Sequence, residues 1–233
     1  MPSKGVGVRI GLLGDPHANF SAIPRIQADI PDILLLLGDF EPARSLDAEL
    51  SPLLSMGCDV WFVHGNRDTQ SVAWHDFVFE GEFSRRNVSG LTVESNGLAI
   101  AGLGGVFRSK VWLPTSGDAP AFATRTEMLT ALPNEKWRDG LPLRHRSSIF
   151  PEDFERFNGK RADILVCHEA PSTHRYGYRA INDLANNLGA KLVIHGHHHE
   201  SYDARLPNGI RVIGLGKAEY RVIQTRAEGE IHV

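Results

Sequence analysis

Five short stretches of this chain carry side chains suited to holding metal ions: Asp15-Pro16-His17, Gly38-Asp39, Gly65-Asn66-Arg67-Asp68, His168 and Gly196-His197-His198-His199. Carboxylate, carboxamide and imidazole donors without thiolate favour divalent first-row cations such as Mn2+, Fe2+ or Zn2+. Two such cations close together neutralise charge on a phosphoryl group and acidify a water caught between them. Taken singly, each stretch is ordinary. A Gly-Asp pair is usually a turn, a lone His is usually a hydrogen-bonded core residue, and a His-rich loop is usually solvated. What matters is whether the fold brings all five to one place.

The positions of the stretches predict that it does. Strands are expected at residues 8–13, 33–37, 60–63, 98–103, 164–167, 192–194 and 211–213, and each candidate stretch directly follows one of them. Residues 33–37 are apolar at every position, as a strand covered on both faces requires. Helical spacing occupies 22–30, 46–56 and 179–188, with Gly57 and Gly189 placed to end the last two. This order predicts an α/β fold with largely parallel sheet, in which functional turns lie at the carboxyl ends of strands. Asn19 and Asp68 are expected to fix loop geometry, and His64 and His195 to support neighbouring loops or simply pack. His198, lying between two candidate ligands, is expected to point away from them. Gly102-x-Gly104-Gly105 follows a strand but opens no helix, which argues against a dinucleotide site.

The rest of the chain bounds the answer. Its 233 residues fit one domain, and 42% hydrophobic with 23% charged residues exclude a disordered or fibrous chain. A formal charge of −3 gives no general attraction to nucleic acid or to anionic membranes. That average conceals a segment, about 105–161, that is +3 against −6 for the remainder and holds five of the 13 prolines. It reads as an insertion, a lid over one end of the sheet, and Trp112 and Trp137 in it are candidates for stacking on bases. Tyr176, Tyr178 and Arg144-His145-Arg146 read as surface that either contacts substrate or is merely solvated. Cys58 and Cys167 are far apart in apolar surroundings and match no metal or redox pattern. No apolar run approaches a membrane span, and the first residues lack a secretory signal. A cytoplasmic location is expected.

The order Asp-x-His, Gly-Asp, Gly-Asn-x-Asp, His, Gly-His-x-His resembles the calcineurin-like metallophosphoesterases, with all five blocks present between Asp15 and His199. The resemblance implies a two-sheet α/β/β/α sandwich. It also implies two metals, most simply Mn2+ with Fe2+ or Zn2+ as alternatives: Asp15, His17 and His199 on one, Asn66, His168 and His197 on the other, and Asp39 bridging. A metal-bridging hydroxide would then attack phosphorus in line, with Asp39, Asn66 and Arg67 as catalytic residues and Asn66 and Arg67 touching substrate.

Arg67 stands where most members of the family have His. Arginine cannot protonate a leaving group at neutral pH, but its fork can hold a phosphoryl oxygen. The expected reaction is therefore cleavage of a diphosphate, or of a phosphodiester if another residue such as His145 or His174 supplies the proton. The run 61–68 with Ile194-His195-Gly196-His197 is similar to the UDP-diacylglucosamine pyrophosphatase branch, whose carboxylate-rich second block and helical lid motifs are not seen here. Gly38-Asp39-Phe40-Glu41, the stretch 102–109 and His168-Glu169-Ala170-Pro171 resemble the RNA lariat debranching enzymes. The partner implied is a phosphate-containing small molecule or nucleotide, with nucleic acid as a further candidate. The alternatives are a phosphomonoesterase and a non-catalytic interaction scaffold on the same fold.

Overall fold

The computed structural model describes residues 7–115, 119–225 and 231–232. In chain order its first half runs β1 (Arg9–Leu13), α1 (Ile23–Ala28), β2 (Ile33–Leu36), α2 (Leu46–Leu54), β3 (Asp59–Phe62), α3 (Val72–Phe79), β4 (Thr92–Ser95) and β5 (Leu98–Leu103). Then follow α4 (Arg125–Ala131), α5 (Pro151–Glu155), β6 (Ile164–Cys167), α6 (Arg179–Leu188), β7 (Leu192–His195), β8 (Tyr202–Arg205), β9 (Arg211–Gly214), β10 (Tyr220–Thr225) and β11 (Ile231–His232).

These strands form two sheets, ordered β11-β10-β1-β2-β3 and β4-β5-β6-β7-β9-β8. β1, β2 and β3 are parallel in the first, as are β5, β6, β7 and β9 in the second. The remaining pairings are antiparallel and lie toward the edges. The parallel expectation therefore describes the centre of each sheet. The antiparallel strands β4, β8, β10 and β11 were not expected; β4, β8 and β10 are only half buried or polar on one face, as in the alternating exposure of β8.

Alternation along β2 explains the unbroken apolar run. Ile33, Leu35 and Leu37 pack toward the second sheet with Ile100, Val166 and Ile194, while Leu34 and Leu36 face the helix side with Leu46, Leu50 and Leu53 of α2. On the far face of the second sheet, Leu165 and Val193 pack on Ile181, Leu184 and Leu188 of α6. The result is helices, sheet, sheet, helices. Ser45 caps α2 by accepting from the Ala48 N–H, and Gly189 ends α6 in the left-handed conformation its lack of Cβ permits. α2 stops at Leu54, and α1 spans 23–28 rather than the wider stretch the spacing suggested.

Residues 105–161 connect β5 to β6 and carry α4, α5 and a 3-10 turn, Leu143–Ser147. The sequence shows no apolar period in this segment, yet Val111, Met128, Leu141 and Phe150 form a small buried cluster within it. Side chains that converge from loops and short helices leave no periodic trace. Both ends are tied together, with Val106 N–H donating to Ser147 O at 2.9 Å and Ile149 N–H to Val106 O at 3.0 Å. Trp112 is packed edge-on against Phe107 and Phe154. The Arg138 and Arg146 guanidiniums lie 4.2 and 4.7 Å from the centre of the Trp137 ring, so both indoles are engaged within the protein.

Candidate metal centre

The five expected stretches do converge. β1 delivers Asp15 and His17, β2 delivers Asp39, β3 delivers Asn66 and Arg67, β6 delivers His168, and β7 delivers His197 and His199. Asp15, Asp39 and His168 form a buried floor, and the other side chains rise around it toward solvent, with the His199 side chain 37% exposed. The Asp39 carboxylate sits between two groups. Its Oδ2 is 3.9 Å from His17 Nε2 on one side and 3.5 Å from His168 Nε2 on the other. His17 Nε2 and His199 Nε2 face each other at 2.9 Å, and His199 Nε2 is 3.7 Å from Asp15 Oδ2. On the opposite side His168 Nε2 is 3.3 Å from Asn66 Oδ1, and Asp39, His168 and His197 offer donor atoms within 4.8 Å of one another.

The donor set fits divalent cations on grounds internal to the protein. His168 Nδ1 donates to the Leu37 carbonyl at 2.6 Å, which leaves Nε2 as the ligand atom facing Asp39 and Asn66. Asp15 Oδ1 is buried with no hydrogen-bond partner among the described residues. Burial pushes the Asp15 carboxyl up to about 7, against the opposing charge of His168. Burial also acts upward on Asp39, but the charge and hydrogen bond of His168 and the Arg67 N–H outweigh it and hold Asp39 down at about 2. Burial and the His168 charge push His197 down to about 4, so its imidazole is neutral and able to ligate. Positive charge brought among these groups satisfies the orphaned oxygen and the facing imidazoles together.

Backbone conformation points to the same place. Asp15, His17, Asp39, His197 and His199 all have φ between 23° and 71°, in the left-handed region that costs an L-residue roughly 1–2 kcal/mol. Such strain persists only where surrounding contacts enforce it, and it gathers at functional sites. Close approach fixes two glycines as well. A Cβ on Gly65 would collide with Asp39 Oδ1, and one on Gly196 with Asp15 Oδ1.

Around the centre, Asp68 behaves as expected of a loop-fixing residue. Its carboxylate accepts from the backbone N–H groups of Asp39 (3.0 Å), Phe40 (2.7 Å) and Gly65 (2.8 Å), joining the turns after β2 and β3. Asn19 Oδ1 accepts from Ser21 N–H at 3.1 Å within its own loop. His195 Nε2 meets the Tyr202 hydroxyl at 2.6 Å, and its Nδ1 lies 2.9 Å from Gly196 O, which supports the His-rich turn. His64 contacts Ser89 Oγ through Nδ1 at 3.0 Å. His198 stacks on His174 at 4.0 Å and lies 3.5 Å from Glu169, with which it and His197 offer donor atoms within 4.8 Å of one another. His145 is not solvated surface: it is buried, bonded to Ser148 Oγ, and pushed down to about 4 by burial and by Arg108 and Lys110. It is therefore a poor proton donor at neutral pH. Tyr178 packs on Phe107, whereas Tyr176 is exposed.

Glu41 is the residue the sequence reading passed over. Its carboxylate accepts from Arg67 Nε and lies 3.1 Å from His17 Nδ1, so it orients both a candidate ligand and the guanidinium. The signal was present as an acidic residue two positions after Asp39. Partners of this kind tune a metal site by about 10–100-fold in affinity. Glu41→Gln is accordingly expected to weaken Mn2+ binding by about that factor, measured by titration of metal-free protein, while leaving thermal stability nearly unchanged.

Comparison with known proteins yields concordant findings. The profile of the family described as Calcineurin-like phosphoesterase matches residues 8–201. An uncharacterized protein of Haemophilus influenzae is 41% identical over 205 residues, covering 87% of this chain and 88% of that protein. Among solved structures, a protein of Thermus thermophilus superposes with TM-score 0.60 over 98% of both chains at 17% identity. A dimetal phosphatase of Danio rerio gives TM-score 0.52 at 11% identity, over 94% of this chain and 93% of that one. A phosphopantetheinyl hydrolase of Mycobacterium tuberculosis gives TM-score 0.52 at 16% identity, over 91% and 92%. At these identities the structural likeness is one of fold.

Proposed function

Because the chain belongs to the calcineurin-like phosphoesterase family, and is thus a metal-dependent phosphoric ester hydrolase with a centre for two divalent metals, we propose that it cleaves a phosphodiester or diphosphate bond at the Asp39 cluster. The observation that carries this reading is the gathering of seven competent donors from five strand ends, the Asp39 carboxylate in their midst. In it, Asp15, His17 and His199 would hold one metal, Asn66, His168 and His197 would hold the other, and Asp39 would serve both. The bound metals supply Lewis-acid charge to the phosphoryl oxygens and lower the pKa of the attacking water. Nitrogen and oxygen donors without thiolate suit Mn2+, Fe2+ or Zn2+, and Mn2+ is the metal we propose.

The chain's own residues define the rest of the chemistry. Arg67 N–H donates to Asp39 Oδ1 at 2.7 Å, which fixes the carboxylate and anchors the arginine at the centre. Its Nε is engaged by Glu41, and its Nη atoms have no hydrogen-bond partner among the described residues, leaving that edge for a phosphoryl oxygen. Arg67 cannot supply a proton. Substrates whose leaving group departs as an anion, such as a phosphate or an acidic alcohol, are therefore favoured over simple monoesters. The segment 105–161 serves as a lid in this reading. Free, buried Cys58 and Cys167 support a cytoplasmic location, and no helix among the described residues is long and apolar enough to cross a membrane.

The test is a substrate panel with Mn2+-loaded protein: bis(p-nitrophenyl) phosphate and nucleoside diphosphate conjugates should turn over faster than alkyl phosphomonoesters. Arg67→His is expected to narrow that gap, raising turnover of esters with poor leaving groups by several-fold up to ~10²-fold, the lower range of general acid catalysis. Equal losses on every substrate would instead confine Arg67 to phosphate binding. Absence of turnover with every phosphoric ester would refute the reading.

A further inference from the structure

The stretch after β5 is threaded directly past the metal centre. Leu103 O accepts from His168 N–H at 3.1 Å, Gly105 N–H donates to His64 O at 2.7 Å, and Phe107 N–H donates to Glu169 Oε2 at 3.4 Å. Residues 103–107 are thus stitched on one side to the turn bearing Asn66 and Arg67, and on the other to the strand end bearing His168. Arg108 comes next. Its Nη2 donates to Ser147 Oγ at 3.3 Å, and that hydroxyl shares a 2.6 Å hydrogen bond with Thr69, two residues beyond Arg67.

Arg108 Nε is buried with no hydrogen-bond partner, and no carboxylate pairs with its guanidinium among the described residues. Arg125, Arg138 and Lys110 of the same segment are each paired with carboxylates, whereas Arg146, set against Trp137, shares with Arg108 a buried Nε that has no partner. Burial and the nearby charge of Arg144 pull Arg108 down to about 10, against the upward pull of Asp39 and Glu169, so it remains a cation at neutral pH. A partly buried guanidinium without a counter-ion is costly, and an anion supplied by a ligand removes that cost. Through Ser147 and Thr69 the Arg108 guanidinium is linked to the turn that bears Arg67, so this turn and the stretch after β5 bring two cations to the same end of the sheets.

We propose that Arg108 is a specificity-determining residue that holds the second phosphoryl group of a diphosphate-linked substrate, while the group beside Arg67 is attacked. The inference rests on the proposed function and narrows its substrate class. In the reaction, water oxygen bonds to one phosphorus and the bridging P–O bond breaks. The second phosphate leaves with the bond's electron pair, and the proton from water passes to solvent.

Two measurements test it. On desalted, Mn2+-loaded protein, calorimetry should show methylenediphosphonate binding more tightly than methylphosphonate. Arg108→Met should erase that preference by about 10–100-fold, the worth of a charge-assisted hydrogen bond, and Arg108→Lys should restore part of it. In kinetics, Arg108→Met should lower kcat/KM for a nucleoside diphosphate sugar at least about tenfold more than for bis(p-nitrophenyl) phosphate. No preference in the unaltered protein, or a preference unchanged in Arg108→Met, overturns the proposal, as does an equal loss on both substrates. If the loaded protein cleaves no phosphoric ester, the reaction reading fails by itself, and the calorimetric preference still decides the role of Arg108.

Discussion

Asp39→Asn is expected to abolish hydrolysis: kcat on bis(p-nitrophenyl) phosphate with saturating Mn2+ should fall by about 10³-fold or more, on the scale of losing a principal transition-state charge stabiliser. The expectation follows from the position of one carboxylate between the His17/His199 pair and the His168/Asn66 pair. The substitution keeps shape and one oxygen but removes the negative charge that two cations need between them. It also removes the counter-charge of His168, whose imidazole is pushed down by burial but lifted to about 10 chiefly by Asp39. Metal content should drop in parallel when measured by elemental analysis after desalting. Activity within tenfold of the unaltered protein, at full metal content, would remove Asp39 from the centre of the mechanism.

Asp68→Ala is expected to cost stability rather than chemistry in the first instance. The side chain is fully buried and is the acceptor for three backbone N–H groups from the turns after β2 and β3. Its removal leaves those donors facing a void, at about 1–3 kcal/mol for each unsatisfied group. A total of at least ~3 kcal/mol is expected, which for a domain of this size lowers Tm by roughly 6–12 °C. Asp68→Asn keeps one acceptor oxygen and should lose less. Scanning calorimetry of both variants decides the matter, and equal Tm values for Asp68→Ala and the unaltered protein would refute the bracing role.

The contrast between these two carboxylates shows what was legible in the sequence. Asp39 announced itself through Gly38 and the apolar strand before it, and the same logic located Asp15, Asn66, His168, His197 and His199 at strand ends. The layered fold followed from runs such as 33–37, whose alternate residues fill two separate cores. Asp68 could be read as a loop residue, but its partners Asp39 and Phe40 lie 29 and 28 positions away, and no local pattern encodes that. Glu41 was hidden for a related reason: its function depends on where Arg67 and His17 point. The edge strands were missed because half-exposed strands such as β8 carry polar side chains on one face. The small core of 105–161 was missed because it is assembled from non-repeating positions.

The pairing of β1 with β10 has a consequence for how the enzyme comes into being. β1 carries the loop of Asp15 and His17, yet one of its two neighbours is supplied from the opposite end of the described chain; Val8 donates to Thr225 across 217 positions. Joining segments so distant demands a large loop closure before any contact rewards it, and such topologies fold slowly. A chain lacking β10 is therefore expected to bind metal more weakly, because one side of the strand that carries Asp15 and His17 is left unpaired.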